Sequence, residues 1–219
     1  MMRTTVTDSL AKDFVAKVKP ALEAQDWARL TTTLKANWTS EQVISLLSSE
    51  DNDARKIAAL CVGLIGQSCC LPELAKNLRD QDRVVVEMAE HAMWQIWFRG
   101  GSEEANTHVA RGAAALNSQQ VERAIEYLNE AIKLCPTFAE AYNQRAIAYY
   151  VSEQYEQSIA DCLHVTKLMP LHFGAWSGLG HSHLALGNIK DAITAYQKAI
   201  EVNPHLECIA ELIQELREQ

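Results

Sequence analysis

Six cysteines, seven histidines and one recurring arginine are the side chains here that could carry chemistry. Cys61, Cys69, Cys70, Cys135, Cys162 and Cys208 could in principle ligate a metal, pair as disulfides or act as nucleophiles. Zinc ligands come in spaced pairs, whereas Cys69 and Cys70 are adjacent with no second pair nearby, so a packing role is expected for the cysteines. His181 and His183 stand two apart on a predicted helix, point to different faces and cannot share a metal. No phosphate-cradling glycine loop and no Ser or Cys nucleophile constellation is visible. The expectation is a non-enzymatic chain with no catalytic residues, no metal and no cofactor. Arg111 and Arg145 recur at one position of a repeated pattern. An arginine in a packed column needs a carboxylate, so an internal ion pair is expected, with an anion contact as the functional alternative.

What positions these residues is a set of helices. The prolines Pro136, Pro170 and Pro204 recur with a period of 34 and divide the chain into blocks 105–138, 139–172 and 173–206. In register, Gly112, Ala146 and Gly180 share a column, as do Ala124, Ser158 and Ala192, and Ala131, Val165 and Ala199. Larger residues fill others: His108, Tyr142 and Trp176; Val121, Tyr155 and Ile189; Leu128, Cys162 and Tyr196. Small residues suit close helix crossings and large ones fill the holes beside them. Each block therefore reads as two helices and a short turn, ended by proline. Ile209, Leu212, Ile213 and Leu216 give the tail 207–219 an apolar helical stripe, as expected of an end-cap.

These columns, and block three above all (A-W-S-G-L-G-H-S-H-L-A-L-G-N-I-K-D-A-I-T-A-Y-Q-K-A-I-E-V-N-P), resemble tetratricopeptide repeats. A weaker period of 31 lies upstream. It sets Asp51 against Asp82, Ala54 against Val85, Ala58 against Ala89, Val62 against Met93, Ile65 against Ile96, Val43 against Leu74 and Leu47 against Leu78. Residues 39–99 resemble two short HEAT-like repeats of the lyase-associated type. Residues 1–38 read as a helical lead-in, with stripes at Leu10, Phe14, Val18 and Leu22 and at Leu30, Leu34 and Trp38, and with Pro20 marking a break or kink. The fold class expected is all-α, an α-solenoid of antiparallel helix pairs. Arg99-Gly100-Gly101-Ser102 forms a short junction, Ser102 is the expected N-cap, and Trp94, Trp97 and Phe98 are expected to fill a seam between two continuous arrays.

The tetratricopeptide resemblance implies a concave groove, lined by the first helix of each pair, that takes a peptide or protein segment. Its columns fall on Asn106, Val109, Ala113 and Leu116, then Asn143, Ile147 and Tyr150, then Ser177, His181 and Leu184. Asn143 would bond a peptide backbone and Tyr150 would supply apolar area. Chaperone-tail binders of the family grip a terminal carboxylate with cations at slots held here by Val109, Ala113, Gln144, Gly174 and Gly178, so no acidic chaperone tail is expected. The protein partner itself is not identified by sequence.

Charge narrows the remaining partners. Residues 1–100 carry 12 Lys/Arg against 13 Asp/Glu, while residues 101–219 carry 8 against 15, which disfavours nucleic acid. That balance also argues against the DNA glycosylases among HEAT-like folds. Glu90–His91 resembles the acid–histidine pairs of HEAT-type iron hydroxylases, yet the other copy has Ala59 and Leu60 there. No long apolar run and no signal-like start is present, so no membrane and a cytoplasmic location are expected. The expected function is an adaptor or scaffold for other proteins. The alternative is an accessory subunit of an enzyme such as a chromophore lyase, acting through the HEAT-like face.

Overall fold

The computed structural model describes residues 3–218, and side chains from residue 9. Among these residues there are thirteen α-helices and no strand. None of the helices is long and apolar enough to cross a membrane. The chain falls into two compact units divided between Ile96 and Trp97.

The first unit holds α1 (Arg3–Glu23), α2 (Trp27–Asn37), α3 (Ser40–Ser45), α4 (Asn52–Ile65), α5 (Leu71–Asn77) and α6 (Arg83–Phe98), the last of which ends in the second unit. Helix α1 ends shortly after Pro20, whose ring removes one helical donor near the C-terminus, where helices end anyway. Phe14, Val18, Leu30 and Leu34 are buried, and Phe14 meets Trp38 edge-on at 5.1 Å. In the upstream pairing of period 31, both members are buried in every pair of apolar or alanine residues except that of Ile65, which is half-buried. Asp51 caps α4 by accepting from Ala54 N–H at 3.0 Å. Its counterpart Asp82 accepts from Val84 N–H at 2.8 Å and also binds Lys56 at 2.9 Å. Arg55 grips both oxygens of Asp80, and buried Asn77 donates to the Leu47 carbonyl. These bonds tie one helical pair to the next.

The second unit follows the three blocks. Its pairs are α7 (Glu103–Asn117) with α8 (Val121–Leu134), α9 (Ala139–Val151) with α10 (Tyr155–Leu168), and α11 (Phe173–Ala185) with α12 (Ile189–Val202). Helix α13 (Glu207–Glu218) closes the end, burying Ile209, Ile213 and Leu216 against Ala192 and Tyr196. Ser102 caps α7 through Ala105 N–H, as its position predicts. Size complementarity explains the small column. A Cβ on Gly112 would sit 2.7 Å from Leu128, and one on Gly180 would sit 2.3 Å from the Tyr196 ring. Where the large column holds only Cys162, the small column accommodates Ala146. The aromatic column reaches backwards: the Tyr142 hydroxyl donates to the Pro136 carbonyl at 3.1 Å, and Trp176 Nε1–H to the Pro170 carbonyl at 2.9 Å. Each such bond fastens a block to the proline that closes its predecessor.

The turns inside the blocks also repeat. Gln119, Glu153 and Gly187 all have positive φ, of 59°, 61° and 75°. This left-handed residue ends the first helix of each pair, and only block three gives it the residue that adopts it without strain. Gln119→Gly and Glu153→Gly are each expected to stabilise the unit by about 0.5–1 kcal/mol, the relief of left-handed strain less the added chain entropy. A rise in the urea midpoint at unchanged slope would show it, and a fall would refute it.

Candidate functional site

The first helices α7, α9 and α11 carry the ten residues that the sequence assigns to a groove, and the structure sorts them. Four converge. Asn143, Ile147, Tyr150 and His181 line one pocket of about 210 Å³, completed by Ala146, Ser158, Cys162, Gly174 and Gly178. Ile147 and Tyr150 are 40% and 39% exposed, so the apolar part of the lining reaches solvent. Tyr150 lies 6.2 Å from His181 between ring centroids.

Four of the other assigned residues lie outside this pocket, each with a local partner. Val109 is fully buried, because with Ala105 it forms an i, i+4 row packed on Phe138 and Ala141. Leu116 packs against the same cluster. Leu184 packs on the cap around Tyr196 and Ile209. Asn106 is half-buried and accepts from Gly101 N–H at 2.9 Å, holding the chain that enters α7. Ala113 and Ser177 are half-buried and lie outside the pocket lining, and the Ser177 hydroxyl donates to the Phe173 carbonyl.

Beneath the pocket lies a buried polar network that the sequence reading missed. Glu140 and His172 are both enclosed, with Nε2 of the imidazole 2.8 Å from the carboxylate. Ala175 N–H donates to His172 Nδ1 at 3.1 Å, so the ring caps α11 with one nitrogen and donates to Glu140 with the other. The second carboxylate oxygen accepts from Asn143 Nδ2 at 3.1 Å and Gln144 Nε2 at 2.7 Å. Trp97 stacks on the imidazole at 4.0 Å, and Phe98 packs against the block-one cluster. Glu140 and His172 stand at opposite ends of block two and neither belongs to a patterned column, so only three-dimensional proximity reveals them. The network also revises Asn143. One of its two amide N–H groups is committed to Glu140, which leaves the other N–H and the carbonyl oxygen to offer.

His181 is held through a hydrogen bond of 2.8 Å between its Nδ1 and the Tyr196 hydroxyl, and burial keeps its pKa below the ordinary value. Burial pushes the Cys162 thiol to about 12, so it acts as an apolar wall rather than a nucleophile. Cys61 behaves likewise, whereas Cys69 and Cys208 are exposed and depart from the packing role expected of them. Arg145 is corrected as an anion contact. It binds both oxygens of Asp161 at 2.7 and 2.8 Å, and that bond, the largest influence on it, raises its pKa. Among the described residues no three His, Cys, Asp or Glu side chains converge as metal ligands.

The helix pairs, the left-handed turns and the small-against-large columns are matched by known proteins. A family model described as tetratricopeptide repeat matches residues 174–206, and one described as TPR repeat matches 112–153. The chain carries tetratricopeptide repeats. A TPR repeat-containing protein of Rhizobium etli is 32% identical over 108 residues, which is 49% of this chain and 53% of that protein. Small glutamine-rich tetratricopeptide repeat-containing protein 2 of Mycosarcoma maydis is 32% identical over 110 residues, 50% of this chain and 31% of that one. The chain thus spans about half or less of these curated relatives. Among solved structures, the Sgt2 TPR domain from Aspergillus fumigatus matches with a TM-score of 0.52 at 25% identity, covering 54% of this chain and 80% of that one. The first TPR of Spaghetti (RPAP3), bound to the HSP90 peptide SRMEEVD, matches at 0.52 and 19% identity, covering 53% and 93%. At that identity the likeness is one of fold. The repeats here place no lysine or arginine at the slots Val109, Ala113, Gln144, Gly174 and Gly178.

Proposed function

We propose that this chain is a non-enzymatic adaptor that holds a segment of another protein across α9 and α11. The carrying observation is the pocket of about 210 Å³ with the exposed Ile147 and Tyr150 in its lining. Small-molecule sites commonly enclose roughly 300–1,000 Å³, so this one suits a single apolar side chain of a longer ligand. The Asn143 carbonyl would accept a backbone N–H beside that side chain. Peptide binding by solved structures of like fold supports the reading: the first Spaghetti domain is bound to an HSP90 peptide, and the second TPR domain of human RPAP3 is in complex with the HSP70 peptide SGPTIEEVD. The ligand class here differs. A terminal carboxylate needs charge-assisted donors, and those slots are apolar or amide.

Peptide display on the intact protein tests this. Selected peptides should share an apolar anchor and should not end in an acidic tail, and the SRMEEVD peptide should show no saturable binding. Tyr150→Ala should weaken the best selected peptide at least tenfold, about the 1.4 kcal/mol of a modest hot spot. Gly178→Ala, whose added Cβ would lie 3.3 Å from Cys162 Sγ, should narrow the pocket and weaken binding while helicity is kept. Unchanged affinity in both variants would sink the groove reading and favour the accessory-subunit alternative.

A further inference from the structure

One column of the repeat is satisfied in block two and vacant in block one. In block two, the Arg145 guanidinium lies against Tyr142 and Tyr149, 5.4 and 5.7 Å from their ring centroids. It grips Asp161 in a two-pronged bond and donates to Asn129 at 2.7 Å. A shift by one repeat puts Arg111 in the same place, with His108, Ala115 and Tyr127 where Tyr142, Tyr149 and Asp161 stood. The charge is retained and its carboxylate is gone. Arg111 is exposed and makes no hydrogen bond or ion pair among the described residues.

The lost tyrosine also leaves room. A pocket of about 250 Å³ opens there, lined by Arg111, Ala115, Ser118, Gln120, Arg123 and Tyr127. Arg123 brings a second guanidinium, 5.6 Å from the Tyr127 centroid and donating to Gln120 Oε1 at 3.3 Å. No carboxylate of the described residues forms an ion pair with either arginine, in a half of the chain where acidic residues outnumber basic ones by 15 to 8. Planar guanidinium forks match carboxylates, and block two shows that this column of the helix pair presents its fork to one.

We propose that Arg111 and Arg123 form a carboxylate site completed from outside the chain, by an acidic side chain of a partner protein. The site is separate from the groove between α9 and α11, so either can fail without the other. It plays the part that Asp161 plays within block two, and it converts an internal ion pair into an intermolecular one.

The test is a nitrogen-15 NMR titration of the full chain at constant ionic strength, with sodium succinate and with a capped Asp-Glu-Asp tripeptide as separate probes. Saturable shifts are expected at the Ala115, Ser118 and Gln120 amides and at the Arg111 Nε–H. Affinity for the tripeptide should fall at least tenfold in Arg111→Gln and in Arg123→Gln, and should persist in Lys198→Gln. Tyr127→Asp restores the internal carboxylate and should lose the external one. Shifts that never saturate, or that survive both arginine substitutions, overturn the site. Saturation by succinate with none by the tripeptide overturns the protein partner.

Discussion

Replacing His172 with alanine is expected to cost the second unit about 2–4 kcal/mol, the sum of leaving a buried acceptor without its donor and removing a helix cap. Three contributions run together. Glu140 loses the donor that meets it at 2.8 Å, in a site with no water access. Helix α11 loses the cap that its first turn takes from Nδ1, worth about 1 kcal/mol. Trp97 loses the ring it stacks on at 4.0 Å. Urea unfolding followed by far-ultraviolet circular dichroism measures the sum, and a loss under about 1 kcal/mol would contradict a buried hydrogen-bonded network, since even one unmet buried polar group costs that much. A double variant with Glu140→Ala as well is expected to recover part of the loss, because the stranded carboxylate goes with it. Coupling of that sign separates the pair from simple cavity formation.

Gly180→Ala is the second large effect, expected to destabilise by about 1–3 kcal/mol as an overpacked core. In an exposed helix the same change gains roughly 1 kcal/mol, so the sign is set by packing alone. The new Cβ would fall 2.3, 2.4 and 2.9 Å from three atoms of the Tyr196 ring. That ring is fully buried, and its hydroxyl is tied to His181. It cannot yield without disturbing Ile209, Ile213 and Leu216 beneath α13. Gly178→Ala, slightly earlier on the same helix, meets only Cys162 Sγ at 3.3 Å and should leave stability equal or higher. Thermal melts of the two variants side by side decide it: equal shifts would mean that helix propensity, not the tyrosine, governs both.

The contrast shows which features a single sequence discloses. Contacts inside one helix pair recur with every block, so Gly180 facing Tyr196 is visible as a small column beside a large one. The end-cap is visible because its apolar stripe has no repeat of its own to serve. The upstream period of 31 is visible as matched burial. Groove membership is harder to read, because exposure at one helical position depends on how close the next first helix comes. Val109 and Asn143 occupy the same column, yet Val109 is packed away among Phe138 and Ala141, whereas Asn143 lines the pocket with one amide N–H held by Glu140. Residues that break the repeat leave no periodic trace at all. Glu140 with His172, and Arg111 without its Asp161 equivalent, are of that kind, and they are where the chemistry of this unit is least generic.

Trp97 stands ahead of the first block, near the end of α6, yet its indole lies on His172 and 5.1 Å from the Phe173 ring, where the second block gives way to the third. A ruler cut to the repeat alone would start the array at Ala105. A gene fusion, or a recombination event that moved residues 105–206 to another protein, would leave behind the indole that stacks on the enclosed imidazole. The transplantable piece therefore begins no later than Trp97, and the heritable module is longer than the pattern that advertises it.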